Sequence, residues 1–183
     1  MKKALIIVDV QQEYFPGGKL ELYKPGKALD QIQEVLQLFR EKEWPLFFIR
    51  HISISENASI FIPGTIGVEL HPKLIPRREE IVLDKHFPNS FMGTGLCERL
   101  TALKVKRLVI CGMMTHMCID TTVRAAKDIS FPVTLLEDAC SGTALQWDDT
   151  LVPYPAVHAT IMASLNGTFA KVKKTASFLL ENQ

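Results

Sequence analysis

Short apolar runs alternate along this chain with stretches whose apolar residues recur every three or four positions. Ala4 to Val8 is apolar on both faces and rich in β-branched residues, which predicts a buried strand. Gly26 to Glu43 carries Ala28, Ile32, Val35, Leu36 and Phe39 on one face, which predicts an amphipathic helix ended by Pro45. The same alternation predicts further strands at Leu46 to Ile52, Ile81 to Leu83, Leu108 to Cys111, Phe131 to Leu136 and Phe169 to Val172. Helices are predicted at Leu96 to Leu103, His116 to Lys127, Val152 to Leu165 (starting after Pro153 or Pro155) and Ala176 to Leu180. Ser53 to Pro76 and Ser141 to Pro155 read as loops.

Six strands with helices between them place the chain in the α/β class, as a three-layer α/β/α sandwich around a mostly parallel sheet. Strands apolar on both faces fit a sheet covered on both sides better than a sandwich of two sheets. With 183 residues, no internal repeat and no linker, residues 1–183 are expected to form a single domain. In such sheets ligands bind beyond the carboxyl ends of the strands. A loop as long as Ser53 to Pro76 in a compact domain is often functional.

Composition narrows the function classes. The chain is 47% hydrophobic and 22% charged, with 21 basic and 20 acidic residues and a net charge of +1. That balance gives no support to a nucleic-acid or membrane-surface partner. No segment approaches the roughly 18 apolar residues of a membrane span. Met1-Lys2-Lys3 before an apolar run mimics a signal peptide, but the run is too short and Asp9 interrupts it. The four cysteines, Cys97, Cys111, Cys118 and Cys140, form no Cys-x-x-Cys pair, so a reducing, cytoplasmic setting with free thiols is expected.

Three reactive side chains fall at predicted strand ends. Asp9 ends Ile6-Ile7-Val8-Asp9, Lys85 follows Ile81-Val82-Leu83-Asp84, and Cys118 follows Leu108 to Cys111 at the start of a helix. Unpaired amide groups at a helix start favour a thiolate, the nucleophilic form of cysteine. A thiol to attack a carbonyl, a carboxylate to take and return its proton, and an ammonium to stabilise both anions make one chemical set. Singly, each has a plainer reading: a strand-end acid, a surface lysine, a small buried thiol.

These residues resemble a known family. The opening Asp9-Val-Gln-Gln-Glu-Tyr-Phe-Pro-Gly-Gly18, Lys85, the run Gly112-Met-Met-Thr-His-Met-Cys118 and the tail Val157-His-Ala with Leu165-Asn-Gly-Thr-Phe169 resemble the isochorismatase-like superfamily of cysteine hydrolases, which includes nicotinamidases and N-carbamoylsarcosine amidases. The resemblance covers nearly the whole chain. It implies a sheet in the order 3-2-1-4-5-6 and a catalytic triad of Asp9, Lys85 and Cys118. It further implies a cis peptide between Met113 and Met114, and an oxyanion hole formed by the Met114 and Cys118 amides. It also implies a homo-oligomer, a dimer or tetramer.

Departures from subfamily patterns refine the expectation. Nicotinamidases hold a metal with an Asp-x-His pair after the second strand, where this chain has His51 and Ser53. The five histidines, at 51, 71, 86, 116 and 158, form no close ligand pair. No metal and no cofactor is therefore expected. Tyr14 stands where the family usually places a pocket phenylalanine, and Tyr14, His51, His116 and Trp147 are candidate substrate contacts. Isochorismatases typically lack the cysteine, so Cys118 favours amide chemistry. The expected function is a cysteine amidohydrolase cleaving a C–N bond of a small amide, ureido or lactam substrate through a thioester on Cys118. Two alternatives remain: vinyl-ether hydrolysis of the isochorismatase type with Asp9 as acid, and a non-catalytic redox-sensing protein on the same fold.

Overall fold

The computed structural model describes residues 2–182. Its central sheet is built from β1 (Lys3–Val8), β2 (Leu46–His51), β3 (Ile81–Lys85), β4 (Arg107–Met113), β5 (Val133–Ser141) and β8 (Lys171–Lys173). They lie in the order β3-β2-β1-β4-β5-β8, all pairs parallel. This is the order the resemblance implies, its sixth strand being β8. Helices α1 (Pro25–Glu41), α2 (Leu96–Ala102), α3 (Asp120–Asp128), α4 (Tyr154–Leu165) and α5 (Thr175–Leu180) flank it.

The apolar-on-both-faces strands have a simple physical cause. Along β1, Leu5 and Ile7 pack with α1 and Phe178 of α5, while Ala4, Ile6 and Val8 pack with Leu96 and Leu100 of α2, Val123 of α3 and Met162 of α4. Successive side chains point to opposite faces, and both faces are covered. Among the described residues, no helix is long and apolar enough to cross a membrane.

Three local expectations differ from the structure. The segment expected as the Ser141 to Pro155 loop contains a hairpin, β6 (Leu145–Trp147) with β7 (Thr150–Val152). Asp148 takes the left-handed backbone its two-residue turn needs, with φ 47°. Leu145, Trp147 and Leu151 all remain exposed, so no burial pattern marked the strands. The fifth strand runs to Ser141 rather than Leu136. A register shift against β4 between Ile110 and Gly112 accommodates Glu137 and Asp138, and Asp138 Oδ1 accepts the Thr175 N–H that starts α5 at 2.8 Å.

The third difference positions the site. The fourth strand was expected to end at Cys111, yet β4 continues through Gly112 to Met113. Gly112 has φ 127°, and a Cβ built on it would lie 2.0 Å from the Val8 carbonyl oxygen. The absent side chain lets β4 close on the end of β1, where Asp9 follows. Gly112→Ala is expected to lower unfolding free energy by at least about 2 kcal/mol, read as a shifted urea midpoint, because it adds both backbone strain and a clash with main chain.

Candidate active site

Asp9, Lys85 and Cys118 leave β1, β3 and the turn after β4 at the carboxyl edge of the sheet. Asp9 adopts φ 52°, a left-handed conformation that aspartate tolerates better than most residues. It swings the carboxylate out of the strand direction as β1 ends. After β4, the peptide between Met113 and Met114 is cis, as the resemblance implies. The chain then enters a π-helical turn, Thr115–Ile119, before α3. The Met114 carbonyl accepts from the N–H groups of Met117 (3.0 Å) and Ile119 (3.2 Å), the residues on either side of Cys118. Thr115 does not cap this helix. Its hydroxyl meets the Ser141 carbonyl, the Tyr154 hydroxyl (3.0 Å) and His158 Nδ1, which ties the turn to β5 and α4.

The three side chains converge on one buried centre. Lys85 Nζ lies 2.7 Å from Asp9 Oδ2, 3.2 Å from Cys118 Sγ and 3.1 Å from His51 Nδ1. An ammonium has three N–H donors and no lone pair, so His51 Nδ1 accepts and the ring proton sits on Nε2. Burial, and next the Lys85 charge, pushes the His51 pKa down to about 4, which keeps the ring a neutral acceptor. Asp9 and Lys85 are buried, and Asp9 Oδ1 has no hydrogen-bond partner among the described residues. Burial raises the Asp9 pKa, while Lys85 pulls it back.

Cys118 differs from the sequence expectation in its resting state. A helix start was expected to favour thiolate. Instead burial, followed by the Asp9 charge, pushes the thiol well above its ordinary value, with Lys85 opposing them. Desolvation outweighs the terminal dipole, so the group rests as a thiol beside an unpartnered carboxylate oxygen.

Two residues whose roles sequence reasoning missed hold the surroundings. Gln11 is fully buried, and its amide nitrogen donates to the His51 and Val68 carbonyls, each at 2.8 Å. Its amide oxygen accepts the His51 N–H at 2.7 Å. One side chain thus occupies both main-chain groups of His51 and binds the long loop. Glu13 accepts the Phe61 N–H at 3.2 Å and packs where a Cβ on Gly67 would overlap its carboxylate. Phe61, with φ 54°, then packs edge-on against Tyr14 and His51. The Asp-x-Gln spacing was visible, but nothing in the sequence names the distant main-chain groups that Gln11 and Glu13 satisfy.

A cavity of about 350 Å³ opens over Cys118, with Tyr14, His51, Phe61, Met114 and Met117 among its walls. Of the four candidate substrate contacts, Tyr14 and His51 reach this cavity. His116 and Trp147 do not. The His116 ring lies against Gly142, with Nδ1 buried and unpartnered among the described residues. Trp147 projects from the hairpin, 77% exposed, because β6 and β7 stand outside the main sheet.

Asp9, His51 and Cys118 each offer a metal-ligating atom, all within 4.8 Å of one another. The Lys85 ammonium already occupies the middle of that set. A metal cation would have to displace a buried like charge, so the donor set does not fit a metal centre.

The family model for the Isochorismatase domain matches residues 3–176. The chain is 45% identical to the uncharacterized isochorismatase family protein YddQ of Bacillus subtilis over 179 residues, covering 98% of this chain and 99% of that protein. A putative isochorismatase hydrolase from Oleispira antarctica has a crystal structure that superposes with a TM-score of 0.94 at 35% identity, covering 98% of this chain and 96% of that one. Nicotinamidase 3 of Arabidopsis thaliana is 27% identical over 149 residues, covering 74% of this chain and 71% of that protein. With a matching domain over nearly its whole length and a strand order to suit, the chain belongs to the isochorismatase family of hydrolases.

Proposed function

We propose that this protein is a cysteine amidohydrolase that cleaves a C–N bond of a small amide, ureido or lactam substrate through a thioester on Cys118. The observation that carries the reading is the buried Asp9 carboxylate, with Oδ1 unpartnered among the described residues, beside Cys118, whose sulfur lies 3.2 Å from the Lys85 ammonium. A carboxylate with a raised pKa is a competent acceptor for the thiol proton.

In the proposed sequence, Cys118 Sγ attacks the substrate carbonyl carbon as its proton passes to Asp9. Lys85 stabilises the sulfur as charge develops on it. The carbonyl oxygen becomes an oxyanion held by the Met114 and Cys118 N–H groups, a contribution that typically amounts to about a hundredfold or more in rate per donor. Collapse breaks the C–N bond, and Asp9 returns the proton to the departing ammonia or amine. Water then attacks the thioester with Asp9 again as base, releasing the acid and restoring the thiol. Nicotinamidase 3, by its name an amide hydrolase, supports the amide reading by likeness.

The test combines a screen over small amides and ureido compounds by ammonia release, and over lactams by ring opening, with intact-mass measurement after acid quenching. The expected result is an adduct of acyl mass on the Cys118 peptide that hydroxylamine removes. Turnover without any adduct under single-turnover conditions would point to Asp9 acting as an acid without a covalent step.

A further inference from the structure

The proposed chemistry leaves open which small amide the site takes, and the charge distribution around Cys118 bears on this directly. The cavity over the thiol has an apolar and aromatic wall, with Tyr14, Ile60, Phe61, Pro88, Met114 and Met117 contributing. Its polar lining residues, Ser53, Asn57, Ser59 and His51, carry no formal charge. No lysine, arginine, aspartate or glutamate side chain lines it among the described residues.

The two ions beneath it do not alter that balance. Asp9 and Lys85 are paired at 2.7 Å with both side chains fully buried, so their charges cancel. The Lys85 ammonium is already engaged by Asp9, His51 and Cys118. It has no N–H left for a substrate carboxylate. Lys19, on the segment between Tyr14 and α1, is exposed and donates to the Ser59 carbonyl of the lining loop at 3.0 Å, where water screens it. His51 is held neutral by burial and by Lys85, and burial keeps the Tyr14 phenol protonated. A carboxylate entering this cavity loses its hydration and meets no free counter-charge. An uncharged ring-sized or short-chain amide loses little, and its acyl part meets the aromatic and thioether wall.

We infer that the substrate is an uncharged amide or lactam with a small apolar acyl part, and that the cavity rejects otherwise identical amides that carry a carboxylate. This rests on the amidohydrolase reading for its chemistry, but the charge selection itself is a property of binding. Within the amide, ureido and lactam classes, it turns the expectation away from ureido acids.

Three matched pairs test it, each differing by one carboxylate: benzamide with 4-carbamoylbenzoate, propanamide with succinamate, and 2-pyrrolidone with 5-oxoproline. Two readouts are taken on each: kcat/KM from ammonia release or ring opening with the intact protein, and calorimetric affinity for Cys118→Ala. At least one neutral member is expected to bind, and to exceed its charged twin by at least about a hundredfold in either readout. Asn57→Arg, which brings a guanidinium to the lining, is expected to narrow that ratio by about tenfold or more. Equal or better handling of the charged members overturns the inference, as does failure of every neutral member to bind. Neutral members that bind selectively but are never cleaved leave the charge selection standing and overturn the amidohydrolase reading instead.

Discussion

Cys118→Ala is expected to lower turnover by at least about a thousandfold while leaving thermal unfolding within about 1 kcal/mol of the parent. The two parts have separate causes. The sulfur is the atom that forms and breaks the bond to the acyl group, and nothing else at the base of the cavity replaces it. Asp9 would be left to activate water with no covalent intermediate. Structurally, the change removes one small buried atom from a site that also borders a cavity, and Lys85 keeps its contacts to Asp9 and His51. Steady-state ammonia release beside a denaturation curve measures both. Retained turnover with alanine would eliminate the thioester and favour the acid chemistry of Asp9 alone.

Lys85→Met is expected to cost about 3–5 kcal/mol of stability and also to abolish activity, because it leaves the Asp9 carboxylate buried without its counter-ion. The pH dependence has a definite sign. Burial already raises the Asp9 pKa above its unfolded value, and Lys85 is what opposes that rise. Without Lys85 the folded pKa climbs further. A carboxyl with a raised folded pKa stabilises the fold below its unfolded pKa, and that contribution is lost as pH rises through the folded value. The variant's deficit against the parent is therefore expected to be small in acid and to grow toward neutral pH, read from urea midpoints at several pH values. Adding Asp9→Asn removes the unpaired charge and is expected to restore much of the lost stability with no recovery of turnover. A deficit that shrank with rising pH would contradict a buried Asp9–Lys85 pair as the source.

The structure places Asp9, Lys85 and Cys118 together, as their strand-end positions in the sequence implied. Each follows an apolar run, and in a parallel sheet all strand ends after such runs share one edge. The order of the strands came from resemblance, since parallel pairing leaves no local mark in sequence. His51 was legible as a candidate contact, but its second role, accepting from Lys85, depends on β2 and β3 being neighbours. Gln11, Glu13 and Phe61 escaped because they act through main-chain groups tens of residues away. The β6–β7 hairpin escaped because exposed strands carry no burial pattern.

By itself, the sequence determined the alternation of strand and helix, the two-faced burial of the sheet and the three reactive side chains at its edge. Those features follow from periodicity, and periodicity is local. Only the tertiary structure decided how the groups behave once assembled. It set Lys85 among three acceptors, left one Asp9 oxygen unpartnered, kept His51 neutral and held the Cys118 proton in place against the pull of a helix start. The reason is physical: the protonation of a buried group depends on its desolvation and on charges a few ångströms away, and both are set by chain segments that are far apart in sequence.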